Sequence, residues 1–151
     1  MPEFEPIATF SPDKIDAVIF DIDWTLAKNV SRSPYDMTRV GEDEVYVDIA
    51  KLVTIMSQHH KVIFVSGRDD SCARDTAMWL EKNISFAKAW NTTLHMRDEW
   101  DNRSDAIIKY EILKELNETF NIRYIFDDRD RVVKMWREAW FRCLQVQDGN
   151  F

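Results

Sequence analysis

Asp21 and Asp23 follow directly on an apolar run, Ala17-Val18-Ile19-Phe20, with Thr25 two positions further on. If the chain stays extended, carboxylates at i and i+2 point to one side while Ile22 turns into the core. One such carboxylate can attack a phosphorus atom and the other can handle the leaving-group proton. The plainer alternative is a pair of strand-end acids in a turn. Asp127 and Asp128 are adjacent acids after another apolar run, Tyr124-Ile125-Phe126. Like charges that close are costly unless a hard cation such as Mg²⁺ neutralises them. Capping of a helix that begins near Arg131 is the alternative, and each acid can serve one of the two roles. Ser66-Gly67-Arg68 follows Val62-Ile63-Phe64-Val65. It offers a hydroxyl, a residue that permits close backbone approach and a guanidinium, which with the next helix's free N–H groups makes a phosphate cradle. A strand-to-helix turn capped by Asp69, Asp70 or Ser71 explains the same residues. Asp105 and Lys109 lie four apart on an expected helix. Ordinarily that is an exposed ion pair worth roughly 0.2–0.5 kcal/mol, but the amine is also the cation that a nucleophilic carboxylate and a phosphoryl group require.

Bringing these groups together needs a scaffold that ends several strands at one edge. The three apolar runs suit strands buried on both faces, as in a parallel sheet. Thr93-Leu94-His95-Met96 and Cys143-Leu144-Gln145-Val146 are weaker strand candidates nearer the sheet edges. Helical spacing links Val45, Ile49, Leu52, Val53 and Met56, then Ala73, Ala77 and Leu80, then Ile108, Ile112 and Leu116, and last Val132, Met135, Trp136 and Ala139. Alternating strands and helices predict an α/β layered fold, in which polar groups beyond the carboxyl ends of the strands converge. Residues 27–41, with Ser31, Ser33, Pro34 and Gly41, read as a loop with one helical turn.

The chain has 151 residues, 45% of them hydrophobic, with only three Gly and four Pro, which suits one folded domain and excludes disordered or collagen-like classes. A net charge of −7 argues against a broad basic surface for nucleic acid. A local Arg cluster can still grip one phosphate, and Arg outnumbers Lys. Cys72 and Cys143 are expected as reduced, core-packed thiols, and His59, His60 and His95 have no metal-ligand spacing. With no signal peptide and no apolar stretch of membrane-spanning length, the expected location is the cytoplasm, without membrane partners.

Asp21-x-Asp23-x-Thr25, Ser66, Lys109 and Asp127-Asp128 match, in order, the four motifs of the haloacid dehalogenase (HAD) phosphotransferase superfamily. The sequence resembles one branch of it in particular, the 3′-phosphatase domains of T-even phage polynucleotide kinase-phosphatases. That likeness is carried by Phe20–Lys28, Arg32-Ser33-Pro34-Tyr35-Asp36, Val65–Arg68, Asn102–Lys109, Asp127-Asp128-Arg129, Val132-Val133-x-Met135-Trp136-Arg137 and Gln145-Val146-x-x-Gly149-x-Phe151. It implies a single HAD-like (Rossmannoid) domain over 14–151, after an N-terminal extension of 1–13, with no large cap domain. The implied activity is Mg²⁺-dependent hydrolysis of 3′-phosphate ends of RNA or DNA in nucleic-acid repair. If the chain is phage-encoded, the setting is the host cytoplasm.

The resemblance also implies roles. Asp21 is the nucleophile and Asp23 the acid-base. Asp21, the Asp23 carbonyl and Asp127 hold Mg²⁺, with Asp128 direct or outer. Ser66 and Lys109 hold phosphoryl oxygens, with Thr25 and Gly67 at the substrate. Arg32 and Arg68 contact the scissile phosphate or the leaving nucleotide, and Asp105 orients Arg or Lys. Two departures stand out: no P-loop motif occurs, so any 5′-kinase activity comes from another chain or is absent, with a separate kinase or ligase as a candidate partner, and Trp24 replaces a glycine of the phage relatives. An indole there either narrows the entrance, stacks on a terminal base or packs on the sheet edge. A phosphatase for small molecules such as nucleotides is the alternative function.

Overall fold

The computed structural model describes residues 2–84 and 92–151. In chain order the strands are β1 (Ile15–Phe20), β2 (Ala27–Lys28), β3 (Glu44–Val45), β4 (Lys61–Asp69), β5 (Thr92–Arg97), β6 (Phe120–Asp127) and β7 (Cys143–Gln145). The α-helices are α1 (Val47–Ser57), α2 (Ala73–Asn83), α3 (Asp105–Thr119) and α4 (Asp130–Glu138). Five strands form one sheet in the order β5-β4-β1-β6-β7, and all its pairings are parallel. The expected α/β fold with a parallel sheet flanked by helices is therefore present.

The apolar runs are buried because both sheet faces are covered. Successive strand residues point to opposite sides. Ala17, Ile19, Ile63 and Val65 pack with Leu113, Leu116, Val133 and Trp136 from α3 and α4. Val18, Phe20, Val62 and Phe64 pack with Val53, Trp79 and Leu80 from α1 and α2. The rings of Phe20 and Phe126 stack at 4.6 Å between neighbouring strands. Both cysteines are free and buried, and burial pushes the Cys143 thiol up to about 12.

Three local expectations shift. Val45 belongs to β3, paired with Ala27, because the chain leaving β1 folds back on itself there, so α1 starts only at Val47. Ser66-Gly67-Arg68 is not a turn but the last part of β4, which runs on past an irregular register to pair Asp69 with Arg97 of β5. A 3₁₀ turn at Asp70–Cys72, with Asp69 accepting from Ser71 N, then separates this strand end from α2. The first N–H groups of α2 therefore do not adjoin Ser66 as a cradle. The 27–41 loop carries its helical turn as a 3₁₀ segment, Met37–Glu42, capped by Asp36. No cap domain stands among the described residues; the part of the Glu81–Asp101 connection at 85–91 lies outside them. No helix among them is long and apolar enough to cross a membrane.

Candidate active site

β1, β4 and β6 lie side by side, so their carboxyl ends deliver Asp21, Arg68 and Asp127 to one edge, at the base of a cleft of about 730 Å³. Asp21, Asp127 and Asp128 are all buried, and each offers an oxygen within 4.8 Å of the others. Lys109 projects from α3 into this cluster and donates to Asp21 Oδ1 at 2.7 Å and Asp127 Oδ2 at 2.8 Å. Its expected i,i+4 partner Asp105 is not bonded to it. The buried face of α3 carries the ammonium to the strand ends, so the surface ion-pair reading does not hold. Burial alone would discharge Lys109, but Asp127 and Asp21 outweigh it and hold the amine charged above its usual range.

One ammonium faces three carboxylates. Burial, then the Asp127 charge, raises Asp21 well above the carboxylate range despite Lys109. The same two causes lift Asp128 to about 6. Asp128 Oδ2 is buried and has no hydrogen-bond partner. An orphaned oxygen beside two more buried carboxylates fits a small divalent cation with oxygen ligands. Neither acid caps α4, whose N-cap is Arg129 without a side-chain bond; Asp127 Oδ1 instead accepts from Asp128 N at 2.8 Å just ahead of the helix. Trp136 Nε1 donates to its other oxygen at 3.1 Å.

Asp23 stands apart from this cluster. Its carboxylate, about a third exposed, accepts from Arg68 Nε at 3.0 Å and Nη2 at 2.9 Å. Arg68 also donates to Thr76 Oγ1 at 3.0 Å and Asp43 Oδ2 at 2.8 Å, and its side chain has no exposed surface. Burial works against its charge, but Asp23 and Asp43 outweigh that. Arg32 pairs bidentately with Asp43, both contacts at 2.9 Å, and lies 3.6 Å from Asp23. Arg68, expected at the phosphate, has its guanidinium bonded to Asp23, Asp43 and Thr76, which sets it against Asp23. Arg68→Lys keeps the charge but loses the fork. We expect a fall in kcat of about tenfold, the scale of one charge-assisted hydrogen bond, with KM nearly unchanged; a rise in KM alone would restore Arg68 to the substrate.

Two further expected site residues are buried. Thr25 does not line the cleft: it is buried, donates to Asp21 Oδ2 at 3.0 Å and lies 3.3 Å from Asp128 Oδ1. Ser66 is fully buried, and its hydroxyl accepts from Arg68 N–H at 3.1 Å behind the cleft wall. Gly67 does line the cleft, and a Cβ there would come within 3.1 Å of the Asp105 carboxylate. Asp105 holds two guanidinium groups, Arg97 and Arg129.

The sequence reading missed Asp43, Arg97 and Arg129 as members of the site. Asp43 follows no motif; it is buried by Trp79, whose Nε1 donates to its backbone carbonyl at 2.8 Å. Arg129 lines the cleft, held by Asp105 with its guanidinium 4.7 Å over the Phe151 ring. The Asp127-Asp128-Arg129 string was its only signal.

The tail after β7 straps the acidic loop in place. Gln145 Nε2 donates to Asp128 O at 2.8 Å, Val146 N to Asp127 O at 3.1 Å, and Asp130 N to Gly149 O at 2.9 Å. A Cβ on Gly149 would sit 1.9 Å from Asp128 O. Gly149→Ala must push the tail off the loop. We expect destabilisation at the upper end of the roughly 1–3 kcal/mol cost of overpacking, read by urea denaturation, together with loss of activity.

Trp24 takes φ of 62°. Glycine reaches that left-handed conformation freely, whereas a bulky side chain gives up roughly 1–2 kcal/mol. Its backbone is pinned by Trp24 N donating to Ala27 O at 2.7 Å and by Gln147 Nε2 donating to Trp24 O.

The family described as the polynucleotide kinase PNKP phosphatase domain matches residues 15–151. The chain is 33% identical over 126 residues to a protein named as a bifunctional polynucleotide kinase/RNA ligase of Autographa californica nuclear polyhedrosis virus; the match covers 81% of this chain and 18% of that protein. A chain of the Pnkp1/Rnl/Hen1 RNA repair complex superposes with a TM-score of 0.87 at 34% identity, over 95% of this chain and 46% of the other. A class C acid phosphatase from Bacillus anthracis, at 19% identity and a TM-score of 0.58 over 78% of this chain and 52% of the other, shares the fold. The chain thus corresponds to one portion of the longer relatives.

Proposed function

The chain belongs to the family of polynucleotide kinase PNKP phosphatase domains within the HAD phosphatases, and on that ground we propose that it hydrolyses 3′-phosphate ends of RNA or DNA in nucleic-acid repair. The observation that carries the reading is the junction of a buried Asp21–Lys109–Asp127–Asp128 cluster with an open, Arg-bearing cleft, room enough for the end of a strand.

Asp21 attacks phosphorus in line, forming an aspartyl-phosphate as the bond to the 3′-oxygen breaks. Asp23, oriented by Arg68, gives that oxygen a proton, then takes one from the water that hydrolyses the intermediate. Lys109 offsets charge on the phosphoryl oxygens and on Asp21 from a fixed position. Arg129, with donors left over after Asp105, takes the phosphate-gripping role first expected of Arg68, and Arg32 holds the Asp23–Asp43 pair. Asp21, Asp127 and Asp128, with the Asp23 carbonyl, are the groups to hold Mg²⁺, whose chemistry when bound is to neutralise phosphoryl charge. A kinase or ligase activity completes the repair, in keeping with the relatives named as a polynucleotide kinase/RNA ligase and as part of a Pnkp1/Rnl/Hen1 RNA repair complex.

Activity should vanish with chelator and return with Mg²⁺ or Mn²⁺, while Ca²⁺, with more ligands and looser geometry, restores it poorly. Full turnover after exhaustive chelation contradicts the metal assignment. The function itself is tested by phosphate release from 3′-phosphate, 5′-phosphate and 2′,3′-cyclic oligonucleotide ends, and from 3′-mononucleotides, in parallel. We expect kcat/KM to be highest for 3′-phosphate oligonucleotides. Equal rates on mononucleotides identify a small-molecule phosphatase instead.

A further inference from the structure

The mouth of the cleft carries two aromatic side chains that no step of the chemistry uses. Trp24 follows Asp23 directly, lines the cleft, is only partly covered, and is held in a left-handed backbone conformation that disfavours any side chain as large as an indole. Its backbone bonds to Ala27 and Gln147 fix that backbone geometry, and the side chain lines the cleft. Tyr35 lines the same cleft from the 29–37 loop and is 91% exposed, more than any other large apolar or aromatic side chain among the described residues. Neither ring belongs to either hydrophobic core. Pro34, beside Tyr35, lines the cleft too and restricts the loop's backbone.

We propose that Trp24 and Tyr35 form a stacking subsite for the terminal nucleobase of the substrate strand. The inference rests on the 3′-phosphatase reading and adds what that reading lacks, a means of recognising a nucleoside rather than a bare phosphate. Every base has a π-face, so aromatic stacking holds any of the four without reading hydrogen-bond patterns. It also needs no broad basic surface, which agrees with the net charge of −7. The predicted specificity is for an intact base at the 3′ end, with little preference for its identity.

The test compares kcat/KM on two 3′-phosphate oligonucleotides that differ only in the last residue, a normal nucleoside or an abasic sugar. The wild type should prefer the base-bearing end by roughly five- to a hundredfold, the range that base–aromatic stacking supports. Trp24→Gly, which suits the backbone conformation, and Tyr35→Ala, at an exposed position, should each shrink that ratio at least about threefold. As a binding readout, Asp21→Asn protein should quench 2-aminopurine placed at the 3′-terminal position, and quench it less when Trp24→Gly is added. Equal wild-type rates on the two ends, or either variant keeping the full ratio, overturns the subsite while leaving the 3′-phosphatase reading intact. Failure to hydrolyse any oligonucleotide 3′-phosphate, with small phosphomonoesters turned over, overturns both.

Discussion

Asp21→Asn should lower kcat on a 3′-phosphate oligonucleotide by at least about 10², and loss of a nucleophile acting with its partners can approach ~10⁶. Asn fills the same volume, keeps one oxygen to accept from Lys109 and offers Nδ2 as a donor to the Thr25 hydroxyl, but an amide does not form the acyl-phosphate. The variant should not lose stability. Asp21 is buried with Asp127 and Asp128 beside it, and its acidity is weakened by that burial first and those charges second. A carboxyl whose folded pKa lies above its unfolded value subtracts stability once the pH exceeds the unfolded value, increasingly until the folded value is passed. Removing the charge lifts that burden, so metal-free Asp21→Asn should melt at or above the wild-type temperature at neutral pH. The two readouts together separate a chemical role from a structural one. Near-wild-type turnover in the folded variant would show that another group attacks phosphorus.

Lys109→Met should affect both catalysis and folding. Lys109 is 3% exposed and is the cation bonded to both Asp21 and Asp127. Breaking a buried pair by removing one partner strands the other's charge, at about 3–5 kcal/mol, a large part of the roughly 5–15 kcal/mol that holds a domain together. The deficit should be greatest at neutral pH and shrink on acidification, because the stranded carboxylates then take up protons. Added Mg²⁺ should restore part of the melting temperature by binding the folded acidic cluster. Turnover should fall by at least about 10², the loss typical of one preorganised charge-stabilising donor, even where Mg²⁺ has restored the fold. A variant with wild-type melting temperature in chelator would mean that the acids are not ionised together in the metal-free protein.

The tail that straps the acidic loop also reaches the segment after β1: Gln145 donates to Asp128 O and Gln147 to Trp24 O. Gly149 permits the tail's close approach to Asp128 O, and Trp24 gives up conformational ease at a backbone position glycine would occupy freely. That contrast is consistent with strain being kept where a ligand binds and avoided where a support is built.

The local chain determined the strands, their burial on both faces and the chemistry they end in. Ala17–Phe20, Val62–Val65 and Tyr124–Phe126 are apolar without alternation, and only a sheet covered on both sides accommodates that pattern. The acids and Lys109 were legible for the same reason, since their positions relative to strands and helices follow from short-range periodicity. Partnership was not legible. Asp105 and Lys109 share a helical spacing, yet one meets Arg97 and Arg129 while the other meets Asp21, 88 residues away. Arg68 reads as a phosphate ligand until its guanidinium is seen bonded to Asp23, Asp43 and Thr76, and Asp43 carries no motif of its own. The end of β4, the left-handed Trp24 and the contact of Gly149 with Asp128 depend equally on segments distant in the chain. Periodicity and propensity act over a few residues, so they dictate which groups reach the sheet edge. Which charges then neutralise one another is decided by packing, because in a buried site each ion's partner is chosen by the cost of leaving any of them unpaired.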